Sequence, residues 1–428
     1  MKAAFYTLGC KVNQYETEYM SELMKKAGFE IVPHDEKADY YIINSCTVTA
    51  TADQKTRQSV RRFKRRNPDS VVILTGCMPQ AFPEDAQALE QADIVLSNKN
   101  DFDILNLINE YELKKSRLVH IEKHESGDEF RRCSIDEFSD RIRAFVKIED
   151  GCDRFCSYCI IPMARGRVRS KDPKELEKEV KTLADSGIKE IVLVGINLSA
   201  YGKGENYDIA DAVEICAKTN GIERVRLGSL EPDHITDDIL KKLSATDKFC
   251  PQFHISLQSG CDNTLKSMNR HYTADEYAKL CKKIRSTFDN SAITTDVMVG
   301  FNGESDEDFT DSFNFVKSIG FEKVHVFPYS ERPGTAASRK GDSVPKHIKE
   351  ERAAKMIEMT EKIRNDYFKN TVGKTVSVLI ENEIEPGVFQ GYTENYIPVR
   401  IKSEDKTLIG KIISVTVTDC CDDYCMAE

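Results

Sequence analysis

The sequence predicts a multidomain α/β protein that consists of an open parallel sheet with helices, a partial (β/α)6 barrel and a small C-terminal β-barrel. Strand and helix patterns alternate over residues 1–115 and again over 143–369, which is typical of parallel sheets. Over 370–428, short strand patterns separated by glycines replace the helices, as in small barrels. The charged segment 116–142 lies between the first two parts and is predicted to be a linker with one short strand.

The composition indicates a globular protein with a metal-dependent or catalytic function. No stretch approaches the roughly 18 apolar residues of a membrane helix, so we expect a cytoplasmic protein without a membrane partner. In that compartment, 14 cysteines point to metal binding or catalysis rather than to disulfides. The formal net charge of −10 argues against bulk nucleic-acid binding, so any contact with RNA must use local basic patches.

The first part repeats a strand–helix unit four times. Apolar runs predict strands at Ala3–Leu8, Tyr40–Asn44, Val71–Thr75 and Asp93–Ser97. Helical periodicity predicts helices at Glu16–Ala27, Thr51–Arg66, Glu84–Gln91 and Phe102–Tyr111. Because the carboxyl ends of parallel strands lie along one edge of a sheet, the residues that follow these strands are expected to come together there.

Three cysteines directly follow predicted strands, namely Cys10, Cys46 and Cys77. One strand–helix unit separates each from the next, so the topology brings them to the same edge of the sheet. Their neighbours Gly9 and Gly76 would let the backbone approach a bulky inorganic group closely. The pattern predicts a three-thiolate metal site, and the alternative is that small cysteines merely pack at the strand ends.

The helix predicted at Thr51–Arg66 concentrates positive charge in an otherwise acidic protein. Spacings of three and four residues place one group of cations on the same face, namely Arg57, Arg61, Lys64 and Arg65. Such a face can contact RNA phosphates. A run of charge also occurs on helices that are simply solvated, and the sequence leaves both interpretations open.

A second group of cysteines is contained in a single loop between two hydrophobic segments. Cys152, Cys156 and Cys159 have the spacing C-x3-C-x2-C. Three thiolates can hold three irons of a four-iron cluster and leave the fourth iron open to a small molecule. A structural zinc site would need a fourth ligand, which no nearby His or Cys supplies. The loop is therefore predicted to be an iron–sulfur site.

The second part continues the alternation around this loop. Strands are predicted at Ala144–Ile148, Ile191–Val194, Val225–Leu230, Phe253–Leu257, Ile293–Val299 and Val324–Tyr329. Helices are predicted at Pro173–Ser186, Asp208–Lys218, Asp237–Leu243, Ala274–Thr287, Glu307–Ile319 and Lys346–Phe368. Six such units suit a partial barrel with functional groups at the carboxyl ends of its strands. Four residues at these strand ends are predicted to contact a cofactor, namely Gly195, Glu231, Gln258 and Asp296. For any one of them taken alone, a role in a turn or in the barrel core is the alternative.

The third part predicts a barrel like the OB fold, followed by a tail. Its strands are predicted at Thr375–Glu381, Val388–Thr393, Tyr396–Ile401, Lys406–Ile409 and Ile412–Val417. Tyr392 and Tyr396 are candidates for stacking on RNA bases, and a barrel that only packs against its neighbours is the alternative. The tail with Cys420, Cys421 and Cys425 is predicted to be a disordered, oxidisable end.

The motifs resemble those of known families. The cysteine loop, with Tyr158 before its last cysteine, resembles that of radical S-adenosylmethionine (SAM) enzymes, in which SAM binds the open iron and is cleaved to a radical. Thr7–Thr17, Asn44–Thr49 and Thr75–Cys77 resemble the amino-terminal domain of the radical SAM methylthiotransferases. Gly391–Tyr396 is similar to the TRAM domain of RNA-modifying enzymes. The resemblance implies two [4Fe–4S] clusters that face a shared cavity, the second held by the strand-end cysteines and carrying the sulfur to be inserted.

Two short motifs favour one branch of the methylthiotransferases. Cys10–Gln14 (Cys-Lys-Val-Asn-Gln) and Cys46–Thr49 (Cys-Thr-Val-Thr) look most like enzymes that act on threonylcarbamoyladenosine in tRNA. Other branches act on isopentenyladenosine in tRNA or on an aspartate of a ribosomal protein. The resemblance implies the tRNA anticodon loop as substrate, with a sulfur donor and a low-potential electron donor such as flavodoxin or ferredoxin as partners.

Two rival interpretations stay open at the level of the sequence. A radical SAM methyltransferase that inserts no sulfur would carry about four irons per chain rather than about eight. An RNA-binding protein with structural metal sites would contain zinc and would not cleave SAM. Iron content and SAM cleavage distinguish these interpretations from a methylthiotransferase.

Overall fold

The computed structural model describes residues 1–131, 133–135, 142–341 and 343–428. Over these residues the chain forms the three predicted parts, a parallel sheet with helices, a partial parallel barrel and a closed five-stranded barrel. Positions 132 and 136–141 of the predicted linker lie outside the described residues. Among the described helices, none combines the length and the apolar character needed to span a membrane.

The first part is a six-stranded sheet in which every neighbouring pair is parallel. Its strands, in the spatial order β2-β1-β3-β4-β5-β6, are β1 (Lys2–Thr7), β2 (Glu30–Val32), β3 (Tyr40–Ser45), β4 (Val71–Gly76), β5 (Ile94–Leu96) and β6 (Leu118–His120). Its helices are α1 (Lys11–Lys26), α2 (Ala50–Arg66), α3 (Cys77–Ala81), α4 (Pro83–Gln87) and α5 (Ile104–Lys114). The sequence does not predict β2 or α3, because elements of three and five residues are too short to show a period.

The second part is a row of parallel strands covered by helices, in the orders β7-β10-β11 and β12-β13-β14-β15. The strands of the row are β7 (Arg143–Lys147), β10 (Glu190–Val194), β11 (Arg224–Leu227), β12 (Ser229–Leu230), β13 (Gln252–Ile255), β14 (Ala292–Val299) and β15 (Lys323–Pro328), and the short strands β8 (Glu149–Asp150) and β9 (Arg169–Ser170) form a separate antiparallel pair. The helices are α6 (Ile161–Arg165), α7 (Pro173–Asp185), α8 (Ile209–Lys218), α9 (Asp237–Ser244), α10 (Asp262–Ser267), α11 (Ala274–Thr287), α12 (Asp306–Ile319) and α13 (Lys346–Lys369). Gly228 divides the predicted strand Val225–Leu230 into β11 and β12, and β7 and β15 end the row, which makes the barrel partial.

Many helices begin where the sequence provides a cap. The side chain of Thr49 accepts a hydrogen bond from the Ala52 N–H across 3.2 Å at the start of α2. Thr273 and Glu276 form a reciprocal capping box at the start of α11. Other helices, among them α1, α3 and α13, begin without a side-chain cap. Helix α1 begins directly after Cys10 and α3 begins with Cys77, so two of these uncapped starts lie at predicted metal ligands.

The third part is a closed barrel with the strand order β16-β17-β18-β20-β19. Its strands are β16 (Thr375–Glu385), β17 (Val388–Thr393), β18 (Pro398–Lys402), β19 (Ile412–Cys420) and β20 (Cys425–Ala427). Two predictions are wrong here. The predicted strand Lys406–Ile409 is a short 3-10 helix over Lys406–Leu408, and the tail is not a disordered end but supplies β20. Cys425 and Ala427 are buried in the barrel core, so the tail closes the barrel by apolar packing.

The closed barrel docks against the interior face of β11. Val225 packs among the covering helices, so the alternating Arg224 and Arg226 face the barrel interior. Arg224 donates to the backbone oxygen of Tyr392 across 2.9 Å, and Arg226 donates to that of Thr393 across 2.6 Å. These charge-assisted hydrogen bonds fix the third part at the end of the partial barrel.

Candidate active site

The loop that carries Cys152, Cys156 and Cys159 lies between β8 and α6, beyond the carboxyl end of the first barrel strand. The Cys159 N–H donates to the Cys156 backbone oxygen across 3.0 Å, which closes a tight turn. Gly151 has a φ of +86°, and a Cβ there would lie 1.9 Å from the carbonyl oxygen of Arg167. Glycine is therefore required where the chain enters the loop.

The other three cysteines come together as the sheet topology predicts. Cys10, Cys46 and Cys77 follow β1, β3 and β4, which are adjacent strands with their carboxyl ends at one edge. A Cβ at Gly9 would lie 2.9 Å from the Cβ of Cys46. Gly76 has a φ of +96°, and a Cβ there would lie 2.4 Å from a backbone oxygen of β3. Both glycines thus permit a close approach that any side chain would block.

The donor chemistry of both groups suits iron–sulfur clusters. Burial raises the pKa of Cys77 to about 12 and that of Cys159 to about 12, so these thiols keep their protons until a metal displaces them. Within the described part of the chain, no three His, Cys, Asp or Glu side chains surround a single metal-ion position. In a four-iron cluster each thiolate binds a different iron, so its ligands need not converge on one point.

The two groups of cysteines lie on elements that touch. Helix α3 begins with Cys77, and α6 begins two residues after Cys159. Cys77 and Ala81 of α3 share a small apolar core with Ile160 and Ala164, at the start and on the face of α6. The sheet and the partial barrel therefore meet at the ends that carry the cysteines.

A buried ion network fixes this contact. Arg165, the last residue of α6, donates its Nε–H to Cys77 Sγ across 3.3 Å and an Nη2–H to Glu16 Oε2 across 2.9 Å. Glu16 also accepts from Lys147 Nζ across 2.8 Å, and Lys147 pairs with Asp150 across 2.7 Å. Because all four charged side chains are buried, each charge depends on its partners for compensation.

A second arginine, Arg270, contacts the cysteine loop and was not predicted from the sequence. Arg270 donates an Nη1–H to Cys156 Sγ across 3.3 Å and an Nη2–H to Glu231 Oε2 across 2.5 Å. Its Nε–H donates to the Tyr272 hydroxyl across 2.9 Å. No local motif marks Arg270, because it reaches Cys156 from a connection far along the chain. Glu231, a predicted cofactor contact, thus orients the arginine beside a predicted metal ligand.

Three buried polar atoms near the strand ends have no hydrogen-bond partner among the described residues, namely Glu149 Oε1, Asn197 Oδ1 and Gln258 Oε1. Buried polar atoms are normally paired, so these atoms indicate a polar ligand. The predicted Gly195 lies beside them, since a Cβ there would come within 2.7 Å of Glu149 Oε2. This edge fits the amine and hydroxyl groups of SAM. Glu149 was not predicted, although it stands just before the cysteine loop.

The remaining predicted cofactor contacts have different surroundings. Tyr158 packs into an apolar cluster with Met268 and Phe301. Asp296 Oδ2 lies 3.2 Å from His254 Nε2, and 30% of the Asp296 side chain stays exposed. Tyr158 is therefore placed to anchor the loop, whereas Asp296 is placed to meet a molecule inside the barrel.

The four cations predicted to contact RNA all lie on α2 but are unequally available. Lys64 Nζ pairs with Asp93 across 2.9 Å, and Arg57 has an acidic neighbour at 3.6 Å. Arg61 and Arg65 are exposed. Charge on this face that is free for phosphates is therefore concentrated in Arg61 and Arg65.

The two tyrosines predicted to stack on RNA bases lie beside arginines of the partial barrel. Tyr392 and Tyr396 stack on each other with ring centroids 4.7 Å apart. The guanidinium of Arg143 lies 5.3 Å from both centroids, and that of Arg226 lies 5.0 Å from the Tyr396 centroid. The rings thus belong to the contact between the closed barrel and the partial barrel. Because 38% of Tyr396 stays exposed, base stacking by this ring stays a prediction.

A lysine reaches the same region from the first part. Lys11 follows Cys10 directly, and its ammonium lies 5.8 Å from the centre of the Phe145 ring. Desolvation, with the guanidinium groups of Arg143 and Arg226 as further causes, lowers the pKa of Lys11 to about 8. Positive charge therefore accumulates in the barrel interior, beside the predicted second metal site.

Family comparisons match the three parts in the predicted order. Residues 2–97 match the family described as "Uncharacterized protein family UPF0004". Residues 146–316 match the radical SAM superfamily, and residues 369–428 match the TRAM domain. The sheet, the partial barrel and the closed barrel thus each correspond to a recognised domain.

Curated relatives resemble the chain over nearly its whole length. The threonylcarbamoyladenosine tRNA methylthiotransferase MtaB of Bacillus subtilis is 39% identical over 97% of this chain and 93% of that protein. The Aquifex aeolicus protein of the same name is 37% identical over 97% of this chain and 100% of its own length. A tRNA-2-methylthio-N(6)-dimethylallyladenosine synthase of Clostridium novyi is 37% identical over 88% of this chain and 84% of that protein.

Solved structures share the fold at much lower identity. The radical SAM methyltransferase TsrM from Kitasatospora setae has a TM-score of 0.55 and 13% identity, over 76% of this chain and 72% of that one. The cobalamin-dependent SAM radical enzyme OxsB has a TM-score of 0.52 and 12% identity, over 84% of this chain and 56% of that one. These similarities concern the fold alone.

Proposed function

The chain belongs to the radical SAM methylthiotransferases, and we propose that its substrate is N6-threonylcarbamoyladenosine next to the anticodon in tRNA. The product is the 2-methylthio derivative, with the new group on carbon 2 of the adenine ring. The Bacillus subtilis and Aquifex aeolicus proteins that match 97% of the chain are named for this substrate. The Clostridium novyi relative named for dimethylallyladenosine is 37% identical as well, so the choice of substrate needs its own test.

The observation that carries the proposal is the pair of cysteine triplets on touching elements, with Arg165 between them. Membership of the radical SAM superfamily implies SAM and one [4Fe–4S] cluster, for which the ligands are Cys152, Cys156 and Cys159. A second [4Fe–4S] cluster is proposed at Cys10, Cys46 and Cys77. When bound, these groups supply the electron that cleaves SAM and the site of the sulfur to be transferred.

The residues of the chain bind SAM, orient the cysteine sulfurs and shield part of the site from water. Asn197 Oδ1 and Gln258 Oε1 are free to accept hydrogen bonds from the amine or the hydroxyls of SAM. Arg270 holds the Cys156 sulfur, and Arg165 holds the Cys77 sulfur, each through an N–H group at 3.3 Å. The contact between the first sheet and the partial barrel shields the buried Cys77 from water, whereas Cys10 stays exposed.

Recognition of tRNA requires that the target base leave its stack. An adenine in a single-stranded anticodon loop can be extruded at low cost and read inside a pocket. Arg61 and Arg65 are proposed to contact phosphates of the RNA. The enzyme would act in the cytoplasm, with a sulfur donor and a low-potential electron donor such as flavodoxin or ferredoxin.

Nucleoside mass spectrometry tests the proposed reaction. The protein is reconstituted anaerobically with iron and sulfide and incubated with SAM, dithionite and tRNA that carries either threonylcarbamoyladenosine or isopentenyladenosine. We expect a methylthio product from the first tRNA only, and about eight irons per chain.

The alternatives give different results in the same assay. A product from the isopentenyl tRNA only would assign the chain to the other tRNA branch, and no product from either would favour the ribosomal-protein aspartate. A methylated product without sulfur, with about four irons, would indicate a methyltransferase. Bound zinc with no deoxyadenosine would indicate an RNA-binding protein with structural metal sites.

A further inference from the structure

The interior of the partial barrel carries a group of positive charges that reaches from Lys11, next to Cys10, to the end opposite the cysteine loop. Lys11, Arg143 and Arg226 form this group, which we call the interior cations. Arg143 is the first residue of β7, whereas Cys152 lies beyond the carboxyl end of that strand. Tyr396 of the closed barrel lies against Arg143 and Arg226, so the closed barrel bounds this end of the interior.

Two of the interior cations are neutralised and the third is not. Arg226 Nε lies 2.8 Å from Glu190 Oε1, and Arg143 Nη2 lies 3.1 Å from Glu381 Oε2. Within the described part of the chain Lys11 forms no ion pair, and its ammonium faces an aromatic ring instead. Arg224, on the same face of β11 as Arg226, bonds to backbone and hydroxyl oxygens and adds a further cation. This end of the interior therefore holds more cations than carboxylates.

The start of α1 adds to this imbalance. A helix N-terminus carries a partial positive charge and favours Asp or Glu in its first turn. Helix α1 has no acidic residue there and begins with Lys11, directly after an uncapped Cys10. The helix N-terminus and Lys11 together favour an anionic group on a ligand at this point.

The proposed substrate carries such a group. Threonylcarbamoyladenosine bears the free carboxylate of threonine on its N6 substituent, whereas an isopentenyl substituent has no charge. Carbon 2 and carbon 6 of adenine flank the same ring nitrogen, and N6 is attached to carbon 6. A base whose carbon 2 approaches the cysteine group at Cys10 therefore presents its N6 substituent on the same edge, which Lys11 adjoins.

We infer that Lys11 binds the carboxylate of the N6 substituent and thereby selects the threonylcarbamoyl substrate over nucleosides with an apolar N6 group. This inference rests on the proposed function. Lys11 is exposed in the free protein, where water solvates its charge. A bound nucleoside with an apolar N6 group would cover the ammonium without supplying a partner, and such a loss weakens binding. Lys11 is a specificity-determining residue that contacts substrate away from the reacting carbon.

Binding, rather than turnover, tests this role. Anticodon stem-loop RNAs are prepared with threonylcarbamoyladenosine, with its methyl ester, or with isopentenyladenosine, and their affinity for the anaerobic holoenzyme is measured without reductant. Wild type should bind the free acid on the order of tenfold to a hundredfold more tightly than the ester. Lys11→Gln should bind acid and ester equally, and Lys11→Arg should keep the preference. Lys346→Gln, which removes an 89% exposed lysine of α13, is the matched control.

The outcomes separate the inference from the proposed function. If Lys11→Gln keeps the full preference for the acid over the ester, the inference is wrong and the proposed substrate stands. If wild type binds the isopentenyl RNA as tightly as the acid, the proposed substrate and the inference are both wrong. Should Lys11→Gln fail to fold, equal binding of acid and ester by wild type would still overturn the inference.

Discussion

Arg165 donates its Nε–H to the Sγ atom of Cys77 across 3.3 Å, although 88 positions separate the two residues in the sequence. The arginine ends the short helix that follows the cysteine loop, and the cysteine starts a helix at the edge of the first sheet. The same guanidinium pairs with Glu16 of α1, the helix that Cys10 precedes. One buried side chain thus ties both cysteine groups together.

Replacing Arg165 with Gln should weaken both the fold and the cysteine site. The change leaves Glu16 buried with less compensation, and removal of one partner from a buried ion pair costs about 3–5 kcal/mol. Thermal unfolding and iron content after reconstitution measure the effect. Arg167→Gln is the control, because that side chain is 59% exposed two residues further on. Equal stability of the two variants would show that the network is not needed.

Alanine at each cysteine group should separate SAM cleavage from sulfur transfer. Cys156→Ala removes a ligand of the loop, so neither 5′-deoxyadenosine nor methylthio product should form. Cys46→Ala leaves the loop complete, so deoxyadenosine should still form while thiomethylated tRNA is absent. Chromatography of deoxyadenosine and mass spectrometry of the nucleosides check both. Thiomethylated tRNA from Cys46→Ala would contradict the scheme with two clusters.

Gly151→Ala should disrupt the cysteine loop by steric overlap as well as by backbone strain. An L-residue in a left-handed conformation costs about 1–2 kcal/mol, and a Cβ 1.9 Å from a carbonyl oxygen forces the backbone to move. Gly204→Ala isolates the strain alone, because Gly204 has a φ of +85° with nothing within 4 Å of its Cβ position. We expect iron loss in the first variant only, and similar iron content in both would argue that the loop tolerates the overlap.

Arg332→Met should loosen the contact between the first sheet and the partial barrel. Arg332 follows β15, donates to Thr47 Oγ1 across 2.9 Å and pairs with the buried Asp53. Without it the carboxylate of Asp53 loses its cation, at a cost of about 3–5 kcal/mol. Hydrogen exchange over residues 47–53 should become faster. Arg339→Met, at an exposed position, should leave that exchange unchanged.

The tail cysteines should respond differently to the same small change. Cys425 is fully buried in the core of the closed barrel, so Cys425→Ser buries a hydroxyl and should cost about 1–3 kcal/mol. Cys421 is exposed, and Cys421→Ser should change stability by less than about 0.5 kcal/mol. Denaturant unfolding compares the two variants. A neutral Cys425→Ser would mean that the tail contributes little to closing the barrel.

The three-part architecture was predictable because it depends on short-range patterns. The alternation of apolar residues and the helical period appear within single segments, and parallel topology then brings Cys10, Cys46 and Cys77 to one edge. The cysteine loop is contiguous, so its spacing could be read directly. Short elements such as β20 were not predicted, because three residues show no period and their burial depends on the strands beside them.

By itself the sequence determined the order of elements, the two cysteine triplets and the resemblance to radical SAM methylthiotransferases. Only the tertiary structure decided which charges meet. It placed Arg165 and Arg270 on cysteine sulfurs, stacked Tyr392 and Tyr396 beside Arg143, and left Lys11 without an acidic partner among the described residues. The physical reason is that a buried charge is compensated by whatever the packed elements bring within reach, and no local period encodes that distance.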